Sequence, residues 1–203
     1  MDAQRAPRQI AAPEAAPSVA ARRLLYAQAM RASTLLREPE GQVALVLLEV
    51  LPIAASAAQD ERVCGAVATR LADLFNRRLR STDLLVRSGT NELAVLLTLA
   101  HIGVAAGFSE RMRQPIEQAL RGMRVADEVA VCMGLAANPP AGPWHPDALI
   151  ELADFRVRQA MRQAREARSR DWALVVECAA MPEAWSEPEA WPATTDTRSD
   201  AGF

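Results

Sequence analysis

The sequence predicts an α+β sandwich, a mixed sheet of about five strands wrapped by helices. Three observations carry the prediction. Residues 42–51 and 127–136 are nearly unbroken apolar runs of strand length, the pattern of strands covered on both faces. Segments with apolar residues at three- and four-residue spacing alternate with them. Two short β-rich runs flank Ser88-Gly89-Thr90-Asn91, which reads as a hairpin.

Taken in order, residues 1–17 are rich in Ala, Pro and Arg and read as a flexible N-terminal arm. A helix is expected from Ser18, with Val19, Leu24, Leu25, Met30, Leu35 and Leu36 on its apolar face, ending at Pro39 and Gly41. The strand 42–51 follows. Residues 60–80 turn helical, with Val63, Val67, Leu71, Leu74 and Phe75 on one face and arginines between them. Leu84–Arg87 and Leu93–Leu99 form the hairpin. Phe108, Met112, Ile116, Leu120 and Met123 mark the next helix face. The strand 127–136 ends at Asn138-Pro139-Pro140. A helix begins near Pro146, where proline is tolerated in a first turn, and runs to about Arg168. Trp172–Cys178 is the last strand. The folded domain therefore spans 18–178. Residues 179–203 shift to Pro, Glu, Ser and Thr and read as a disordered Pro/Glu/Trp tail.

Composition excludes several classes of function. The 203 residues include 25 acidic and 23 basic side chains, all of the latter arginine, for a net charge of −2. That balance gives no bulk attraction to nucleic acid or anionic membrane. Without lysine there is no Walker-type phosphate loop, no Schiff base and no lysine general base. The three cysteines (Cys64, Cys132 and Cys178) are too scattered for a disulfide framework or a zinc site. The first 17 residues hold no apolar stretch of signal-peptide length, and no run approaches the ~20 residues of a membrane span. A reduced, cytoplasmic protein without membrane insertion is expected.

The hairpin carries a family resemblance. Asp83-Leu84-Leu85-Val86-Arg87-Ser88-Gly89-Thr90-Asn91-Glu92-Leu93-Ala94-Val95-Leu96-Leu97 resembles the signature hairpin of GGDEF (diguanylate cyclase) domains. The similarity is specific between about Arg80 and Arg113, and the expected element order over 18–178 matches that family's nucleotide-cyclase-like fold. It implies a degenerate signature at Gly89, Thr90, Asn91, Glu92 and Leu93. The second glycine is Thr90, whose branched side chain crowds an approaching nucleotide. The metal-binding, catalytic acid is Asn91, and the aromatic is Leu93. The metal aspartate of the first strand corresponds to Glu49, which also reads as a strand-end carboxylate reaching solvent. Positions that hold the guanine base become Ala57 and Gly65 or Ala66. Ala153-Asp154 persists, but the Tyr and Lys that follow become Arg158 and Met161. These losses imply a protein that is not an enzyme, with neither metal nor other cofactor.

The resemblance also implies a retained inhibitory-type cyclic di-GMP site. Arg80-Ser81-Thr82-Asp83 is an Arg-x-x-Asp placed five residues before Gly89, and its second arginine is Arg111 in Ser109-Glu110-Arg111-Met112-Arg113. Guanidinium groups fork onto phosphate or onto the O6/N7 edge of guanine, and a carboxylate accepts the N–H donors of guanine's other edge. Three further Arg-x-x-Asp motifs start at Arg70, Arg124 and Arg168 outside that register, where surface i,i+3 pairing explains them. The expected function is an inactive receptor that binds cyclic di-GMP and signals to a protein partner. The alternative is a nucleotide-independent interaction or scaffold module. A homodimer stays open. His101 and His145 lack companion ligands. Pro182-Glu183-Ala184-Trp185 recurs as Pro188-Glu189-Ala190-Trp191, which reads either as a partner-docking element or as accidental low complexity.

Overall fold

A computed structural model of the chain describes residues 24, 27, 31, 42–53, 57–98, 102–138, 146–167 and 174–180. The N-terminal arm, most of the helix expected from Ser18, His101, His145 and the tail after 180 lie outside the described residues. Leu24, Ala27 and Arg31 are helical, in line with the expected helix. The elements are β1 (Val43–Pro52), α1 (Ala57–Asn76), β2 (Leu84–Arg87), β3 (Glu92–Thr98), α2 (Ile102–Met123), β4 (Val129–Ala137), α3 (Pro146–Ala167) and β5 (Leu174–Ala180).

The strands form one five-stranded sheet in the order β2-β3-β1-β4-β5. β1 lies at its centre, antiparallel to both β3 and β4, whereas β4 and β5 run parallel across the α3 crossover. Alternation along β1 explains its apolar run. Ala44, Val46, Leu48 and Val50 face α1 and α2, together with Val67, Leu71, Phe75, Phe108, Met112, Ile116 and Leu120. Val43, Leu45 and Leu51 face the other way, toward α3. Phe75 of α1 stacks on Phe108 of α2 with ring centroids 5.9 Å apart, joining the two helices of that layer. The expected mixed sheet wrapped by helices is the fold observed.

β4 presents only Ala130, Cys132, Gly134 and Ala136 to α3, so the helix backbone lies almost on the strand. A Cβ at Gly134 would sit 2.2 Å from the Val157 nitrogen and 2.3 Å from the Ala153 oxygen. A glycine inside a strand marks such a close approach. Asn138 closes the other end of this layer: its side-chain oxygen accepts the Val43 N–H, and its own N–H is donated to the Val43 carbonyl.

Several boundaries differ from the sequence expectation. α2 begins six residues before Phe108, because Ile102, Val104 and Ala105 continue its apolar face. α1 stops at Asn76, where Leu79 and Arg78 turn back to bond the Phe75 carbonyl. β5 runs through Ala179 and Ala180, which pair with Ala136 and Ala137, so the domain extends two residues past the expected boundary at 178. Among the described residues no helix is long and apolar enough to cross a membrane.

Candidate functional site

The hairpin is fixed by pairing from Leu84↔Leu96 to Arg87↔Leu93, and the Ser88 N–H donates to the Glu92 carbonyl at 3.1 Å to close it. Gly89 leaves room for Glu92, whose carboxylate folds over the turn: a Cβ at residue 89 would lie 3.1 Å from Glu92 Oε2. Leu93, at the signature's aromatic position, points into the α1/α2 core.

Arg87 turns back from the end of β2 and ties the hairpin to α1. Its Nε donates to the Gly89 carbonyl at 3.1 Å, and its Nη2 to the carbonyls of Thr90 at 2.6 Å and Gly65 at 3.3 Å. Its Nη1 donates to Thr69 Oγ1 at 2.8 Å. The Thr90 methyl meets α1 at its one glycine, since a Cβ on Gly65 would come within 3.1 Å of Thr90 Cγ2. A cleft of about 400 Å³ remains between α1 and the turn, lined by Glu61, Arg62, Gly65, Ala66, Thr69, Arg87 and Thr90.

On the α3 side, Glu49 stands directly opposite Glu92 on one neighbouring strand and Cys132 on the other. Burial pushes the Glu49 carboxyl above its ordinary range, and the Glu92 charge adds to this. Arg165, a hydrogen bond from Asn91 and Arg158 act against it. Burial, with the Glu49 charge beside it, pushes the Cys132 thiol up to about 12. Asn91 also donates its side-chain N–H to the Val50 carbonyl at 3.0 Å, and its backbone carbonyl accepts the Val50 N–H at 2.9 Å. Asn91 is thus a tie between the turn and β1. Arg158 pairs with Asp154 one helical turn earlier, while Met161 packs on Leu51, Ala130 and Cys132. Among the described residues, no three His, Cys, Asp or Glu side chains converge to hold a metal ion.

At the far end of β2, Asp83 is buried at 7% exposure. One carboxylate oxygen accepts the Arg80 backbone N–H at 2.9 Å and the other accepts the Thr98 N–H at 3.1 Å. Asp83 therefore closes the Arg80–Asp83 turn and clamps it to the end of β3, a local turn that its short acceptor side chain favours. The guanidinium groups of Arg80 and Arg111 are exposed, and neither forms a hydrogen bond or ion pair among the described residues. Arg111 projects from α2 beside Gly107, and Pro115, four residues on, has no N–H to give to the Arg111 carbonyl. The structure joins Asp83 to Arg80 through the backbone and leaves Arg111 separate from both. Sequence reasoning did not single out Arg87, Thr69 or Gly134. For Gly134 a signal was present, a lone glycine inside an apolar strand.

This five-stranded sheet, with the hairpin at one edge and helices on both faces, has the architecture of a GGDEF-type domain. The family described as "Diguanylate cyclase, GGDEF domain" matches residues 61–168, more than half of the chain, and the chain belongs to that family. Among solved structures it is similar to the GGDEF domain of TpbB (YfiN) from Pseudomonas aeruginosa, with 23% identity over 76% of this chain and 88% of that one and a TM-score of 0.51. It is also similar to the GGDEF domain of DgcB from Caulobacter crescentus in complex with c-di-GMP, with 16% identity, 76% and 86% coverage and a TM-score of 0.52. A third is the diguanylate cyclase SiaD from Pseudomonas aeruginosa in complex with its activator SiaC, with 16% identity, 77% and 58% coverage and a TM-score of 0.50. At these identities the likeness is one of fold. No curated protein sequence matches the chain.

Proposed function

We propose that this chain is a catalytically inactive GGDEF domain that binds cyclic di-GMP through Arg80 and Arg111, on a turn built by Asp83, and signals to a protein partner. One observation carries the reading: Arg80 on the turn that Asp83 builds, and Arg111 on α2, both at the family's positions, expose guanidinium groups that form no hydrogen bond or ion pair among the described residues. Unpaired arginines keep all their donors for phosphate or for the O6/N7 edge of guanine. DgcB, a structural neighbour, is seen with c-di-GMP bound, and SiaD with a protein activator, which supports both halves of the proposal.

Loss of catalysis rests on the donor set at the other end of the hairpin. A magnesium ion favours several oxygen ligands of net negative charge. Here Asn91 gives its amide to Val50, and the charges of Arg165 and Arg158 already act on Glu49. Thr90 and Arg87 crowd the cleft at Gly65, one of the positions that the resemblance assigns to the guanine base. The residues do not fit a metal-bound triphosphate.

A nucleotide-independent interaction module is the second reading, favoured by Asp83 itself. Both of its oxygens are engaged by backbone N–H groups, so it has less to offer a ligand than its motif suggests. Calorimetric titration with cyclic di-GMP, GTP and cyclic di-AMP separates the two. The receptor reading expects saturable heat with cyclic di-GMP alone, because adenine presents a donor where guanine presents O6. No heat with any of the three leaves the interaction module.

A further inference from the structure

The cleft between α1 and the hairpin turn holds a charge that no carboxylate among the described residues pairs with. Arg87 is half-buried, yet its partners are three carbonyls and one hydroxyl, all neutral. Four of its five N–H donors are used in these bonds, leaving one on Nη1. Arg62 lines the same cleft from α1 and forms no hydrogen bond or ion pair among the described residues. Thr69, whose hydroxyl donates to the Gly65 carbonyl at 2.9 Å, and Thr90 line it as well. Glu61 is the single acid on the wall, exposed and paired with neither arginine.

We propose that this cleft receives a carboxylate side chain from an acidic segment of a protein partner. A half-buried guanidinium without a counter-charge favours an anion, and the free Nη1 donor with Arg62 supplies its hydrogen bonds. Glu61 opposes a second negative charge, which selects a monoanion over a phosphate dianion. Glu61, Arg62, Ala66, Thr69 and Thr90 are all exposed, so the walls do not shield a small free ion from water. Exposed charge pairs contribute little alone, and the carboxylate must therefore arrive on a chain that makes further contacts. The proposal rests on reading this cleft as closed to GTP, and it uses none of Arg80, Asp83 and Arg111. β2 joins the two regions physically: Asp83 anchors its start, and Arg87 at its end forms the floor of the cleft.

The test is an amide NMR titration of the full chain with three probes: a blocked Glu-Ala repeat hexapeptide, its Gln-Ala counterpart and GTP. The expected result is saturable shifts at Gly65, Thr69, Gly89 and Thr90 with the glutamate peptide only. Inorganic phosphate at equal concentration should shift them less. Arg62→Gln, an exposed change that removes no internal bond, should weaken the peptide about threefold, and Arg70→Gln should leave it unchanged. Absence of saturation with the glutamate peptide, equal response to the Gln-Ala peptide or to phosphate, or indifference to Arg62→Gln overturns the proposal. Saturable GTP binding at these amides overturns instead the reading of the cleft as closed to nucleotide.

Discussion

The Asp83 carboxylate accepts the backbone N–H of Thr98 at 3.1 Å across the end of the hairpin, while its other oxygen holds the N–H of Arg80 at 2.9 Å. The residue that the motif offers as a ligand group is thus also the clamp that sets where Arg80 begins. Asp83→Ala should lower stability by about 2 kcal/mol, because two part-buried backbone donors lose their charged acceptor. Urea unfolding of the variant checks this. An unchanged midpoint would show that the turn holds without its carboxylate.

Gly134 gives a sharper packing test. Gly134→Ala places a methyl against the backbone of Val157 and Ala153, which cannot yield without moving α3 off β4. The expected cost is about 3 kcal/mol, at the upper end of overpacking penalties, read as a large fall in melting temperature. A wild-type melting temperature would mean that α3 lies farther from the strand.

Arg124 has φ of 61° just after α2, the left-handed conformation that glycine adopts without steric cost. The Val125 N–H bonds the Leu120 carbonyl at 3.2 Å, as in a Schellman cap, so the position is the C′ residue of the helix. Arg124→Gly should raise stability by about 1 kcal/mol. It also removes the arginine of an Arg-x-x-Asp outside the family register, and so should leave ligand binding intact. A loss of stability in chemical denaturation would contradict this cap assignment.

Glu49 links the sheet to pH. Its folded carboxyl lies above the ordinary range because of burial first and Glu92 second, so the folded state holds this proton more tightly than the unfolded chain. Its contribution to stability is therefore greatest at acidic pH, falls as pH rises from the ordinary glutamate range through the raised value, and is level above it. Glu49→Gln should flatten that slope and stabilise the protein at neutral pH by up to about 1 kcal/mol, since it removes a like-charge cross-strand pair. Denaturation at acidic and neutral pH checks both parts. A neutral-pH destabilisation would show that Arg165 and Arg158 outweigh burial.

These results mark how far the sequence could be read. The sheet was legible because β1 and β4 are buried on both faces, which forces continuous apolar runs, and the hairpin because a Gly/Asn turn interrupts two such runs. Helix starts were less legible. α2 opens six residues before Phe108 with small residues, Ala105 and Ala106 among them, whose period is weak. In the candidate site, Arg80, Asp83 and Arg111 were named through the family resemblance, and among the described residues neither guanidinium group has a hydrogen-bond or ion-pair partner. That Asp83 turns its carboxylate onto Thr98 could not be read from spacing, because it depends on where β3 ends in space. Arg87 escaped notice for the same reason: its partners on α1, Gly65 and Thr69, lie 22 and 18 residues away.

The most direct test of the central claim is calorimetric titration of wild type and Arg80→Ala with cyclic di-GMP, with Arg70→Ala as control. Among the described residues the exposed Arg80 side chain forms no hydrogen bond or ion pair, so its removal is expected to leave the fold intact and to report on the ligand. The account predicts saturable binding by wild type and by Arg70→Ala, and at least a roughly tenfold loss for Arg80→Ala, the equivalent of one charge-assisted contact. Equal binding by Arg80→Ala and wild type, or no binding by wild type, would contradict it.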